Sequence, residues 1–371
     1  MGVEGQSLTA EDQLFILMQA ALYLTETRGL GAPEARICYE RAEPLCRLLN
    51  RPVLLCVALI GQWRYSLQTD KLSATLRIAE RVHSLAQEQN NPALLMGAYR
   101  ALAVTHHYLG NFESARQHAM RSLQIWRSGR AQSPVEDPIA PAVICLMYKA
   151  LPEWHLGEIA SCQATMAEAI ALAKELNDIH ALTVALWNDA ILAHVERDPA
   201  QVEGLASDLI ELTTRQNFAQ FLAGGEVLRG WARSSCGDTA EGLAWIEGGI
   251  EGWRATGAIL AVPFYLGLKA EALYLARHTS EALEAINEAE AVAERREERW
   301  WSAELHRLRG VFLAAASAEE TQIEASFCEA IRIAKEQKSV SLARRAEATY
   351  AEYRRQKAIA SGGRGFRLPL C

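Results

Sequence analysis

No run of eighteen apolar residues occurs in this 371-residue chain, so no segment of it reads as a membrane-spanning helix. Its eight cysteines contain no C-x-x-C pair, and H-E-x-x-H, G-x-x-x-x-G-K-[ST] and G-x-S-x-G are all missing. A zinc site, a phosphate-cradling loop and a strained serine nucleophile therefore have no signature here. The sequence points to no catalytic residue, no metal and no cofactor, and to a protein that is not an enzyme. Proline is scarce, with 11 residues, and Met1 to Asp12 lacks the charged-then-apolar order of a leader, so the expected location is the cytoplasm. A net charge of -7 argues against nucleic acid as the partner of the chain as a whole. The balance is uneven, because Lys335 to Cys371 holds nine Lys or Arg against three Glu. Nucleic acid or partner contact through that basic C-terminal helix is thus an alternative.

What the chain does have is a repeat. Ala74, Ala115, Cys162, Val202, Gly242, Ala282 and Ile323 are separated by 41, 47, 40, 40, 40 and 41 residues. Four residues on stand Ile78, Ala119, Met166, Ala206, Ile246, Ile286 and Phe327, all apolar. Eight residues on, the stripe continues except at Glu290. An i, i+4, i+8 stripe buries one helical face per unit, and a forty-residue period with one such face describes stacked helical hairpins. Hairpin turns are marked by Thr69-Asp70, Gly110-Asn111, Gly157-Glu158, Asp198-Pro199, Gly237-Asp238 and His278-Thr279. Seven cysteines read as small core residues of a reduced protein.

Small residues recur twelve before and seven after the first series, among them Ala103, Ala150, Ala190, Gly230, Ser122, Ala169 and Gly249. They let the two helices of a hairpin approach closely. The pattern resembles the tetratricopeptide repeat over seven units, with an eighth, degenerate one around Ala35, Tyr39 and Ala42. These units exceed the 34 residues of that family and lack its terminal proline, so each helix is expected to run longer by nearly a turn. The predicted fold is all-α, an α-α superhelix of seven or eight tetratricopeptide-like hairpins with a 40–41-residue period. The array covers 1–357, with a loop insert at about 128–141 around Pro134, Pro138 and Pro141, and a flexible tail at 358–371.

In tetratricopeptide geometry the positions 15, 11 and 8 before the first series face the concave groove. Here they include Trp63, His107, Trp154, Trp187, His194, Trp231 and Tyr274, with Arg229, Lys149, Lys269 and Arg309 beside them. Two readings are open: these residues pack against neighbouring units, or they form an apolar patch that a ligand or partner covers.

Gly31-Ala32-Pro33-Glu34, Tyr39-Glu40-Arg41-Ala42, Leu228-Arg229-Gly230-Trp231 and Gly252-Trp253-Arg254-Ala255-Thr256-Gly257 are similar to stretches of a bacterial family. The most specific is Glu298-Arg299-Trp300-Trp301-Ser302-Ala303-Glu304, continuing to Gly310. The family is the C-terminal repeat region of signalling proteins that join a class III adenylate or guanylate cyclase to a P-loop ATPase. That region is itself similar to the sensor arm of maltose-type activators. The resemblance implies a non-catalytic sensor or protein-interaction scaffold whose partner is a P-loop ATPase or cyclase, with a small ligand in the concave groove as the other expectation.

Overall fold

The fold is taken from a computed structural model that describes residues 8–129 and 140–359. Among these residues there are seventeen α-helices and no strand. The first eight are α1 (Ala10–Arg28), α2 (Pro33–Leu48), α3 (Pro52–Thr69), α4 (Leu72–Glu88), α5 (Pro92–Tyr108), α6 (Phe112–Arg127), α7 (Pro141–His155) and α8 (Ile159–Glu175). Then come α9 (Ile179–Val195), α10 (Pro199–Gln216), α11 (Ala219–Ser235), α12 (Thr239–Ala255) and α13 (Val262–Leu275). The array ends with α14 (Thr279–Arg296), α15 (Ser302–Ala315), α16 (Glu320–Glu336) and α17 (Val340–Ile359). Most of the expected insert at 128–141, and nearly all of the expected tail at 358–371, lie outside the described residues.

Each hairpin pairs an odd-numbered helix with the even-numbered helix after it. The odd-numbered helices from α3 to α17 also touch one another in succession, so they form the inner layer of an α-α superhelix of tetratricopeptide-like units. The even-numbered helices form the outer layer and bury one stripe each. In α10 that stripe is Val202, Ala206, Leu209 and Thr213; the first two are the expected positions, whereas Ile210, eight residues on, is half-buried because the face continues at the seventh residue instead. The inner helices of the middle of the array are buried on most sides, and α7 exposes little beyond Lys149 and its first residue, whereas the terminal α17 buries only Leu342, Ala346, Thr349 and Tyr353. Helix starts use Pro at the first turn (Pro33, Pro52, Pro92, Pro141, Pro199) and side-chain caps from Asn91, Asp178 and Asp198.

The expected stripe is off by one residue in the α4 unit. Thr75, Ala79, Val82 and Ala86 are buried there, whereas Ala74 and Ile78 are half-buried. Only Asp70 and Lys71 separate α3 from α4, whereas three residues separate α5 from α6, so the α4 face lies exactly one period, forty residues, before that of α6. The stripe's failure at Glu290 has a partner: its carboxylate accepts from Arg309 at 2.6 Å and lies 3.1 Å from His306 of the next inner helix. The expectation of seven core cysteines is also corrected. Cys46, Cys56, Cys145 and Cys162 are buried, Cys38 is half-buried, and Cys236 and Cys328 are exposed, the first in a hairpin turn and the second on the outward face of α16.

The repeat is tightest at α11 and α12. A β-carbon on Gly242 would stand 2.1 Å from Ser234 Oγ and 2.4 Å from the Gly230 carbonyl oxygen. Two glycines facing each other thus set the distance between these helices. Gly242→Ala should force them apart and cost about 1–3 kcal/mol, read as a lower urea midpoint.

Candidate ligand site in the superhelical axis

The last turn of an α-helix leaves carbonyls without partners in the helix. Here the second superhelical turn supplies them. The linker between α12 and α13 places the Ile259 and Leu260 N–H groups 2.9 and 3.2 Å from the carbonyl oxygen of Gln68, at the end of α3. One repeat later, Arg299 and Trp300 donate to Tyr108 O at the end of α5, at 2.8 and 3.2 Å. At the end of α7, Ser341 Oγ donates to Trp154 O at 2.5 Å, and Ser339 Oγ lies 3.1 Å from His155 Nδ1. Arg345 of α17 donates to Val195 O, at the end of α9. Ile259 and Arg299 each follow their acceptor by 191 positions, and Ser339 follows His155 by 184. The deficit of seven matches the excess of the single 47-residue interval over 40, since the insert precedes His155 but not the others.

Two buried polar systems lock this closure. Arg296 donates to Leu67 O at 2.8 Å and Gln68 O at 3.2 Å, with Nε 3.6 Å from Glu298. Glu298 accepts in turn from Ala261 N–H at 3.1 Å and Trp300 Nε1 at 3.1 Å. Further along the axis, Arg197 bridges Glu271 (2.5 Å) and Glu304 (2.7 Å), and Arg307 and Arg345 also reach Glu304, at 2.8 and 3.3 Å. Burial alone would raise both carboxyls. Arg197 and His194 nevertheless hold Glu271 down to about 2, and Arg307 and Arg345 hold Glu304 well below the usual carboxylate range.

Beside the Arg296 lock the axis is hollow. A cavity of about 90 Å³ is walled by Trp63, Tyr108, Tyr148, Trp187, Trp253 and Leu260, with Arg64 and Arg100 among its lining residues. It shares Leu30, Val184, Gln220 and Phe221 with a second cavity of about 140 Å³. That outer cavity lies between the α1–α2 turn and the starts of α9 and α11. The polar edges of the aromatic walls are turned into the protein. Trp63 Nε1 donates to Thr105 Oγ1 (3.0 Å), Trp187 Nε1 to the Tyr265 hydroxyl (2.8 Å) and Trp253 Nε1 to Leu260 O (2.9 Å).

Of the residues expected in a groove, the structure brings Trp63 and Trp187 together in this cavity. The others fall into separate buried compartments. His107 lies within an aromatic cluster of Tyr148, His155 and Trp300. Trp154 carries the Arg345 guanidinium 5.5 Å above its ring. His194 and Trp231 meet edge to face at 4.4 Å, and Trp231 Nε1 donates to Glu271 at 3.2 Å. Tyr274 is half-buried against Phe312. Arg229 points the other way, onto Glu203 of α10 and the Trp245 ring of α12. Lys149, Lys269 and Arg309 are likewise held by Glu153, Glu247 and Glu290. Of the basic C-terminal helix, Arg345, Arg355 and Lys357 contact carboxylates of the chain itself.

The cavity residues that sequence reasoning missed are Arg64, Arg100, Tyr108, Tyr148, Phe221 and Trp253. Two signals were present: Arg100 is the lone Arg or Lys in the otherwise apolar α5, and Trp253 belongs to the Gly252–Gly257 motif. Among the described residues, no cluster of three His, Cys, Asp or Glu suits a metal ion, and no helix is long and apolar enough to cross a membrane.

No family model matches the chain. An uncharacterized protein of Rhizobium meliloti (strain 1021) is 27% identical over 356 residues, which is 95% of this chain and 34% of that protein. The chain therefore spans about a third of that relative's length. Among solved structures, a Rap protein complexed with Competence and Sporulation Factor superimposes with a TM-score of 0.57 at 12% identity, covering 94% of this chain and 99% of that one. NprR in complex with its cognate peptide NprX gives 0.58 at 11%, covering 95% and 99%. The human IFIT1 dimer with PPP-AAAA gives 0.54 at 12%, covering 94% and 74%. These likenesses show the fold, a tetratricopeptide-like α-α superhelix.

Trp231 is 3% exposed, so Trp231→Ala should cost about 3–5 kcal/mol through the cavity it leaves, seen as a lower thermal midpoint. Acid should also destabilise the fold. Burial holds His107 down to about 3, His194 to about 4 despite Glu271 3.7 Å away, and His155 well below its ordinary value. The unfolded chain therefore takes up protons near pH 6.5 that the folded chain refuses. Stability present above that pH is lost as the pH falls, by up to about 1.4 kcal/mol per unit for each histidine. Glu271 adds to the loss below about pH 4.5. Urea unfolding at a series of pH values from 7 to 4.5 checks the slope, and a flat profile contradicts the assignment.

Proposed function

We propose that this chain is a non-catalytic sensor and interaction scaffold of bacterial signal transduction, in which axial occupancy is linked to closure of the superhelix. One observation carries the reading: the cavity is walled by both superhelical turns. Trp63, Tyr148 and Trp187 come from the first, and Trp253 and Leu260 come from the segment that docks on Gln68. A guest in the cavity touches both sides of the contact that closes the axis, so it binds the closed and opened forms with different affinity and shifts the balance between them.

Two things support a binding role. The fold is shared with a Rap protein complexed with Competence and Sporulation Factor, with NprR in complex with its cognate peptide NprX and with human IFIT1 with PPP-AAAA. The relative's length, about three times what this chain spans, is consistent with an array that serves further segments. The partner in this reading is a P-loop ATPase or cyclase. It sits on the outer layer or the C-terminal end, where closure changes the relative position of helices α13 to α17.

Native-state hydrogen exchange on the unmodified chain tests the mechanism. The amides of Ile259, Arg299 and Trp300 should exchange through an opening that leaves the interiors of α5 and α11 protected. Small-angle scattering should show a larger radius of gyration for the double variant Arg296→Met, Glu298→Gln, with helicity retained. Exchange of those amides only by global unfolding, together with an unchanged radius in a folded variant, overturns the proposal.

A further inference from the structure

Lys149, Asp189, Arg229, Lys269 and Arg309 follow one another at intervals of 40 residues, each on an inner helix from α7 to α15. The three after Asp189 each pair with a glutamate of the outer helix that precedes them. Arg229 meets Glu203 of α10 at 3.3 Å, Lys269 meets Glu247 of α12 at 2.8 Å and Arg309 meets Glu290 of α14 at 2.6 Å. Lys149 is held in its own hairpin, by Glu153 and by Thr165 of α8, both at 2.7 Å. At α9 both halves of the pair are missing. The series changes sign at Asp189, and the three glutamates, counted back by whole repeats, fall on Gln163, Ala167 and Ile170 of α8. Asp189 and these three uncharged residues line an open groove of about 550 Å³, a size at which small ligands and side chains are bound.

Asp189 is half-buried, and its carboxylate has no hydrogen bond or ion pair among the described residues. Lys174 also lines the groove, but it is exposed in the last turn of α8 and does not pair with Asp189. Glu196 lies about two turns beyond Asp189, at the end of α9, and accepts from Gln163 Nε2 at 3.1 Å. Burial, and after it the charge of Glu196, push the Asp189 carboxyl up to about 6, as expected of a carboxylate that lacks a cation. Resting on the reading of the outer layer as a partner's surface, we infer that this groove binds a guanidinium, the side chain of an arginine presented by a partner protein. Such an arginine supplies from outside the cation that Arg229, Lys269 and Arg309 supply from within. Its planar fork meets a carboxylate through two parallel hydrogen bonds, and its methylene stem lies along Ile170 and the buried Leu192. Gln163 and Ala167 are exposed on α8, so a polypeptide reaches the groove without entering the axis.

Titration of the full chain with acetyl-Ala-Leu-Arg-Leu-Ala-amide, followed by the magnetic resonance shifts of the Ile170 and Leu192 methyl groups, tests this. The same peptide with citrulline in place of arginine is the uncharged match, and spermidine is the free-amine match. The arginine peptide should saturate those shifts and bind about tenfold or more tighter than the citrulline peptide. Asp189→Asn, which keeps the shape and removes the charge, should abolish most of that preference with helicity unchanged. Asp189→Arg combined with Gln163→Glu rebuilds the pair that Arg229 makes with Glu203, and should close the groove to both peptides. Absence of saturable shifts, equal affinity for the two peptides, or a preference that survives Asp189→Asn overturns the inference. Tighter binding of spermidine than of the arginine peptide overturns the choice of a protein arginine. None of these results alters the exchange of the Ile259, Arg299 and Trp300 amides, so failure of this inference is separable from failure of the scaffold reading.

Discussion

Four inner helices end on carbonyls that their own helices cannot satisfy, and the second superhelical turn satisfies them. Gln68, Tyr108, His155 and Val195 all accept hydrogen bonds from segments roughly 150 to 190 residues further on. A buried carbonyl without a donor costs roughly 1–3 kcal/mol, so four such ends are a substantial reason for the axis to close in one register. The same contact makes the apolar inner layer tolerable. Its tryptophans would otherwise form a wide exposed patch; instead Trp63, Trp154, Trp187 and Trp231 are each about 4% exposed or less.

The charged residues buried along the axis act on register more than on stability. An ion pair such as Arg296 with Glu298 gains little net energy, because desolvating both groups offsets much of their attraction. Yet a shift by one repeat would leave Arg296 without the α3 carbonyls and Glu298 without the Ala261 and Trp300 donors. Leaving such charges unpaired is far more costly than the pairing is favourable, which makes the observed closure the one arrangement that satisfies them. The Arg197, Glu271, Glu304, Arg307 and Arg345 group does the same across α9, α13, α15 and α17.

Much of the fold is legible in the sequence because small residues must recur wherever helices touch. Gly230 and Gly242 face each other as the spacing implies. The hairpin turns are less legible. From α5 onward, the left-handed residue of each inner-to-outer turn is Gly110, Gly157, Arg197, Gly237, Arg277 and Ser317, at intervals of 47, 40, 40, 40 and 40. Three of these are not glycine and accept a cost of about 1–2 kcal/mol, so the backbone repeats more strictly than the residues do. The axial site was half legible: Trp63 and Trp187 follow from repeat position, but Arg64, Trp253 and Leu260 belong to no groove-facing series.

Sequence by itself determined the helical hairpins, their period and the apolar character of the inner layer, since these depend on contacts between residues close in the chain or one repeat apart. Tertiary structure alone decided which inner residues share a cavity, where Arg229 and Lys149 point, and that the Trp300-Trp301 motif lies between helices against the end of α5. The physical reason is separation. Superhelical pitch accumulates from small rotations at every hairpin, and no local pattern records that residues 191 positions apart will come within hydrogen-bonding distance.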